Sequence, residues 1–253
     1  MLLLPLPHRR RLREIWRSAG WPCRDTVEVE LLAAGLLERR FDGEGRETLL
    51  LTEAGIAALA AALARNRAAF DAHEALVARV AEQMQRDGRI VWRGLSLRAP
   101  LPPEPGAATG EAGEAGDKAG ATRWVMAMPD VYSIRHTTVE AFTEPAVHEI
   151  KVRRGDLLAD LRRPDKGAAY RALSSQCWYV LGPGVGTEDD VPPEYGVLLA
   201  GEAGLQLARP APRRAVTPGF AVWMALARAT AEPPFEEPAQ APLRPQHEAG
   251  PPQ

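Results

Sequence analysis

The stretch Ala146-Val147-His148-Glu149-Ile150-Lys151-Val152 sets a carboxylate and an ammonium among apolar neighbours, on a segment that reads as a β-strand. Side chains alternate faces along a strand, so Val147, Glu149 and Lys151 share one face. Ile150 and Val152 then point to the other face, the expected core side, and His148 goes with them as a structural histidine. Upstream stands Met128-Pro129-Asp130, separated from Glu149 by eighteen residues. If the Asp130 segment pairs alongside, three ionisable groups converge on one small area. Phosphodiester hydrolysis asks for such a set. Asp130 and Glu149 would hold a hard divalent cation, Mg²⁺ or Mn²⁺, which stabilises charge developing on phosphorus. Lys151 would orient the attacking water or neutralise the transition state. The competing reading of the same three residues is an edge strand with solvated charges.

Around this stretch the pattern predicts a mixed α/β domain over 70–230, with helices on at least one face of a central sheet. A helix is expected over 72–85, strands over 89–97, 124–133, 138–142 and 146–152, a helix over 155–173, and strands over 177–181, 196–200 and 204–207. The glycines at 182, 184 and 186 follow a strand but precede no helix, so they form a loop and not a phosphate cradle. Arg153, Arg154, Arg162, Arg163, Lys166 and Arg171 are set against Asp156, Asp160 and Asp165, a mildly basic patch at most. Glu74 and Glu82, on the helix before the sheet, are further candidate carboxylates. Glu82 is preferred because it stands nearer the first core strand.

The region 8–66 is separate. A basic helix over 9–18 carries Leu12, Ile15 and Trp16 at helical spacing. Asp25 or Thr26 caps a second helix that Gly35 stops. The strand 36–40, the turn Asp42-Gly43-Glu44-Gly45 and the strand 47–51 form a hairpin, and Leu51-Thr52-Glu53-Ala54-Gly55 opens an alanine-rich helix. With Gly35-Leu36 and the "LTxxG" signature, this stretch resembles the recognition helix, wing and following helix of MarR-like winged-helix regulators. The resemblance implies DNA contact, with Arg9, Arg10, Arg11 and Arg13 suited to phosphates and Arg46 at the wing. A solvated basic helix face is the plainer account of each.

Through Pro129-Asp130 and Glu149-Ile150-Lys151 the second region resembles the PD-(D/E)xK nuclease superfamily. The run Glu149-Ile150-Lys151, Arg154, Asp156, Asp160, Lys166, Tyr170, Cys177 and Tyr179 is similar to the MmcB-type DNA repair family, over about 128–214. The resemblance implies a restriction-endonuclease-like mixed sheet flanked by helices and metal-dependent DNA processing. It brings Arg154, Asp156, Lys166 and Tyr170 in as additional site residues. The chain departs from the family pattern in a longer interval before Glu149, with Val152 after the lysine and Trp178 after the cysteine. Tyr170, Trp178 and Tyr179 are expected in the core.

Composition limits the alternatives. The chain has 253 residues and a net charge of −2, so any nucleic-acid surface is local and not a global basic field. Cys23 and Cys177, the only two cysteines, have no metal-ligand spacing and suggest a reducing compartment. The segments 100–121 and 232–253 are rich in Pro, Gly, Ala and Glu, which predicts an insertion and a tail without packed structure. The opening 1–7 is too short and proline-broken for a signal-peptide core, and no run reaches membrane-span length. These readings make a cytoplasmic nuclease acting on DNA the expectation, without a membrane partner and compatible with a homodimer. The rivals are a non-catalytic DNA-binding protein that keeps the nuclease fold as a scaffold, and an RNA-directed nuclease.

Overall fold

A computed structural model describes residues 4–18, 20–101 and 123–234. The bulk of the predicted insertion and tail therefore lies outside the described residues. The chain divides into two compact units, one ending at Glu74 and one beginning at Ala75.

In the first unit, α1 (Leu6–Arg17) turns Leu12 and Ile15 inward. α2 (Thr26–Ala33) begins at Asp25, whose side chain accepts the Glu28 N–H at 2.9 Å. Gly35, at φ +67°, ends it. β1 (Leu37–Phe41) and β2 (Glu47–Leu51) form an antiparallel hairpin with Leu37 opposite Leu51. Leu12, Ile15, Leu31, Leu37 and Leu49 make the core of this unit. Next comes α3 (Glu53–Arg86), and the Leu-Thr-x-x-Gly motif explains how it is attached. The Thr52 hydroxyl donates to Gly35 O at 2.7 Å and accepts the Gly55 N–H at 3.1 Å. A Cβ on Gly55 would lie 2.1 Å from the Leu36 carbonyl oxygen. Only a glycine lets the helix approach that backbone.

The expected break near Phe70 is absent. No glycine or proline follows Gly55 until Gly88, so α3 runs unbroken and its alanine-rich sequence sustains it. Gly88, at φ +73°, stops it.

The second unit is built on a six-stranded mixed sheet in the order β10-β9-β8-β7-β6-β3. Its strands are β3 (Arg89–Arg93), β6 (Val131–Arg135), β7 (Ala146–Lys151), β8 (Gln176–Leu181), β9 (Gly196–Gly201) and β10 (Gly204–Arg209). β7–β8 and β8–β9 are parallel, and the other pairs are antiparallel. One face carries Val91, Val131, Ile150 and Val180 and packs on Leu76, Val77, Val80 and Ala81 of α3. The opposite face carries Tyr132, Val147, Tyr179 and Val197. It is covered by α4 (Arg154–Leu161), α5 (Pro164–Leu173), α6 (Phe220–Arg228) and a separate ribbon of β4 (Leu97–Leu101) and β5 (Arg123–Ala127). The fold is mixed α/β, as the pattern predicts.

Several predicted segments divide where a residue cannot continue them. The strand expected over 89–97 turns at Gly94, φ +60°, so β4 is a new strand that takes in Pro100 and Leu101. The strand expected over 124–133 stops at Pro129, which has no N–H to give a ladder. The helix expected over 155–173 breaks before Pro164, which starts α5. The strand expected over 138–142 is instead a single 3₁₀ turn, Glu140–Phe142. α6 was not foreseen, although Val222 and Leu226 have helical spacing and are buried. Glu232, assigned to the tail, is fastened: its N–H donates to Val91 O at 2.8 Å and its carboxylate meets Arg93 at 2.8 Å.

The clash at Gly55 is with backbone, which has little freedom to move. Gly55→Ala should destabilise the protein by about 1–3 kcal/mol, seen as a lower urea midpoint. An unchanged midpoint would show that α3 can shift away from Leu36.

Candidate active site

β7 is a central strand, and all six of its residues are buried. The edge-strand reading of Glu149 and Lys151 is thereby overturned. In antiparallel register Val131 opposes His148 and Tyr132 opposes Val147. Asp130 stands one residue before β6, next to the pair that ends this register. On the other side, parallel pairing sets Tyr179 of β8 beside Glu149. Glu149 and Tyr179 thus lie in one row of the sheet, with Asp130 at its margin.

Asp130 is held from two directions. Its Oδ2 accepts the Ile150 N–H at 2.7 Å, and its carbonyl accepts the Gly94 N–H at 3.2 Å. The turn at Gly94, which interrupts a predicted strand, thus fastens the backbone of Asp130 just before β6, and β7 fastens its carboxylate.

Glu149 is 4% exposed. Its Oε1 receives Lys151 Nζ at 2.5 Å and Lys166 Nζ at 2.6 Å. Lys166, on α5, also donates to Asp160 Oδ1, and Asp160 Oδ2 lies 3.5 Å from Lys151 Nζ. The Tyr179 hydroxyl donates to that same Oδ2 at 2.9 Å. Asp160 was noticed in the sequence as part of a family likeness and as a counter-charge, not as a site residue. It enters because α4 ends here. Its spacing of six residues from Lys166 was the available signal. The Tyr170 hydroxyl donates to Met128 O at 2.9 Å and so ties α5 to the segment leading into Asp130.

The titration behaviour follows from this packing. Burial alone would raise the Asp160 carboxyl, but Lys151 and Lys166 outweigh it and hold it below the ordinary carboxylate range. Burial would lower Lys166, but Glu149 and Asp160 raise it. Burial, then the nearby carboxylates, push both the Tyr170 and Tyr179 phenols far up, so both remain protonated donors.

Glu149 Oε2 is buried and no donor meets it in hydrogen-bond geometry, although the Tyr170 hydroxyl is near enough to Glu149 to be pushed up by it. A buried, unpartnered carboxylate oxygen is costly unless something cationic meets it. Among the described residues no three His, Cys, Asp or Glu side chains gather to hold a metal by themselves. Two neighbouring carboxylates are nevertheless the number that Mg²⁺ takes when solvent and phosphate fill its other positions. The donor set therefore fits a hydrated divalent ion at Asp130 and Glu149. Three carboxylates (Asp130, Glu149, Asp160) and two lysines (Lys151, Lys166) leave a formal charge of −1, which one divalent ion would invert.

A cleft of about 670 Å³ leads to this cluster. It is lined by Met126, Met128, Arg163, Asp165, Lys166 and Tyr170, among others. It lies between the end of β5 and the start of α5.

The other predicted residues lie elsewhere. Glu82 belongs to α3, which packs on the opposite face, and it pairs with Arg86 at 2.6 Å. Glu74 lies beside His73 at 3.1 Å. Arg154 forms a two-pronged pair with Asp190 at 2.8 and 2.9 Å, and Asp156 is exposed in the first turn of α4. In the first unit Arg11 is bound to Asp25, and Arg46 to Asp42 at 3.0 Å and to Glu44. Arg10 is exposed, while Arg9 and Arg13 are half-buried. His148 sits on the far face of β7, stacked on Trp178 with ring centroids 6.2 Å apart. Burial, then Arg89, push it down to about 3, so it is neutral. Tyr170 and Tyr179 are buried as expected, whereas Trp178 is half-buried. Among the described residues no helix is long and apolar enough to cross a membrane.

No family model matches the chain, and no curated protein matches it. Among solved structures it is similar to the SPO1766 protein of unknown function from Silicibacter pomeroyi. The two are 17% identical with a TM-score of 0.37, over 59% of this chain and 82% of that one. A likeness of that size carries no argument about function.

The shifted groups set a pH window. The depressed Asp160 carboxyl stabilises the fold above its unfolded value of about 4, and that contribution is lost as pH falls through the folded value. The raised Lys166 contributes fully below about 10.4, and its contribution is lost as pH rises through its folded value. Urea midpoints should therefore hold between these limits and fall on both sides. Asp160→Asn should lower the plateau and flatten the acid limb. An acid limb unchanged in that variant would show that other carboxylates govern it.

Proposed function

We propose that the chain is a metal-dependent DNA nuclease of the PD-(D/E)xK type, acting in DNA repair or processing. The observation that carries this reading is that Asp130, whose carboxylate accepts the Ile150 N–H, is fastened to the strand beside Glu149. Lys151 lies on the same strand and donates to Glu149 Oε1, while Glu149 Oε2 is buried.

Asp130 and Glu149 would hold Mg²⁺ or Mn²⁺, which when bound supplies Lewis acidity toward a phosphate oxygen. Lys151, fixed by its bond to Glu149, would orient the attacking water and meet the negative charge growing on the phosphoryl oxygens. Lys166 would draw the phosphate from the cleft and balance Asp160. Tyr170 keeps the backbone before Asp130 in place, and Tyr179 keeps Asp160 turned towards the lysines. The first unit would act as a winged helix that binds DNA, with the exposed Arg10 as a phosphate contact. The work of such a protein would be cytoplasmic.

One observation favours a second reading. Lys151 and Lys166 already neutralise one oxygen of Glu149. A scaffold that binds DNA without cutting it would be stable in that state, and its binding would need no divalent ion.

The test is cleavage of single-stranded, duplex and branched DNA with Mg²⁺ or Mn²⁺, and with EDTA. Asp130→Asn retains an acceptor for the Ile150 N–H, and Glu149→Gln retains the volume. Both should fold yet lose about a hundredfold or more in cleavage rate, as should Lys151→Ala. If no substrate is cut, and DNA is bound equally by all variants with EDTA present, the scaffold reading replaces the nuclease.

A further inference from the structure

The β4–β5 ribbon packs by one face only. Leu97, Ala99, Leu101 and Ala127 are buried beneath it in the main core. The outer face of such a ribbon is ordinarily polar. Here it is not: Trp124 is 49% exposed, Met126 63% and Met128, just beyond the strand, 61%. These three recur at every second residue, so their side chains stand in line about 6.8 Å apart. Across the ribbon Pro100 opposes Trp124 and Arg98 opposes Met126. The Arg98 guanidinium lies 5.1 Å from the centroid of the Trp124 ring.

The apolar line does not end in open surface. Met126 and Met128 also line the cleft, together with Arg163, Lys166 and Tyr170. The cleft has one carboxylate on its lining, Asp165, and Arg123 holds that at 2.9 Å. Met128 is tied by its carbonyl to Tyr170, and the residue after next is Asp130. A flat aromatic ring, two polarisable thioethers and a guanidinium thus lead along one strand into a basic rim and on to the acidic cluster.

We propose that the outer face of this ribbon is a stacking platform for the bases of an unpaired DNA strand, whose phosphates run past Arg163 and Lys166 into the candidate active site. The choice of DNA rests on the nuclease reading; the platform itself rests on the ribbon. Aromatic and thioether surfaces accept any base by its π-face, without sequence preference. A duplex hides those faces in its own stack, so this surface selects unpaired nucleotides. The basic rim suits a polyanion better than the apolar face of a protein partner. The substrate class is then a single strand, or a flap or gap that exposes one.

The full-length protein would be titrated in EDTA, where no cleavage occurs, into a fluorescent thymidine 20-mer and a blunt duplex of the same length. Trp124→Ala combined with Met126→Ser should weaken binding of the single strand by about tenfold or more, the contribution of stacking one base. Duplex binding should stay within about twofold. Trp124→Phe, which keeps a stacking ring, should recover most of the loss. With Mg²⁺, cleavage of single strands and flaps should fall in step with their binding. Equal losses on both oligonucleotides, or none on the single strand, would overturn the platform. So would a wild-type dimer in sedimentation that the double variant dissociates with single-strand binding intact, since a second copy would then be the occupant. Selective loss of single-strand binding in a protein that cuts nothing would keep the platform and discard the nuclease. Cleavage indifferent to Trp124 and Met126 would do the reverse.

Discussion

The second unit depends on one constraint: a carboxylate is buried on a central strand. Glu149 stands at the middle of a sheet covered on both faces, where an unpaired charge would cost several kcal/mol. Lys151, two residues along the same strand, supplies one counter-charge without any help from topology. The second, Lys166, has to come from elsewhere, and it comes from α5. The crossover from β7 to β8 therefore does two things at once. It covers the sheet with Leu157, Ala169, Tyr170 and Leu173, and it delivers the ammonium that makes the burial of Glu149 tolerable. Asp160 and Tyr179 close the network, so the lysines are themselves balanced. Packing and site are here the same set of contacts.

How far this was legible in the sequence differs from residue to residue. The alternation in 146–152 identified the shared face of Val147, Glu149 and Lys151, because a strand has a period of two and no tertiary contact changes it. The partnership of Asp130 with Glu149 was conditional on pairing between the two segments, and the bond from the Ile150 N–H to Asp130 supplies it. That both faces of β7 are buried was not legible: His148, Glu149 and Lys151 read as polar, and only the network shows why they tolerate burial. Asp160 was overlooked for a related reason. Its role depends on where α4 ends, and Pro164 was passed over as a helix boundary. The apparent strands over 89–97 and 124–133 were each two strands, divided at Gly94 and Pro129. Gly94 fastens the backbone of Asp130 and Pro129 precedes it, so the places where local pattern failed lie next to the site.

The arginines were the least readable part. Arg11, Arg46 and Arg154 were grouped as candidate contacts to nucleic acid or to the site, yet each is engaged with carboxylates of its own neighbourhood. Sequence records that an arginine is present, but its long side chain has several partners within reach, and the fold decides among them. In the first unit the glycine and threonine of the Leu-Thr-x-x-Gly motif were better guides. Their constraint lies in the backbone: Gly55 must admit the Leu36 carbonyl, and the Thr52 hydroxyl must bridge the Gly35 carbonyl to the helix start.

The asymmetry of Glu149 is the feature on which the nuclease reading of its cluster rests. A network built for stability alone would spread its donors over both carboxylate oxygens, since each buried acceptor left bare is a penalty. Here two ammonium groups meet Oε1, and Oε2 is buried with no donor in hydrogen-bond geometry. On the nuclease reading, a site with a formal charge of −1 and two neighbouring carboxylates would take a divalent cation, and would attract a phosphate only once that cation is there. Metal and polyanion would then bind in that order, with Arg163 and Lys166 at the cleft as the positive charges that an incoming phosphate meets.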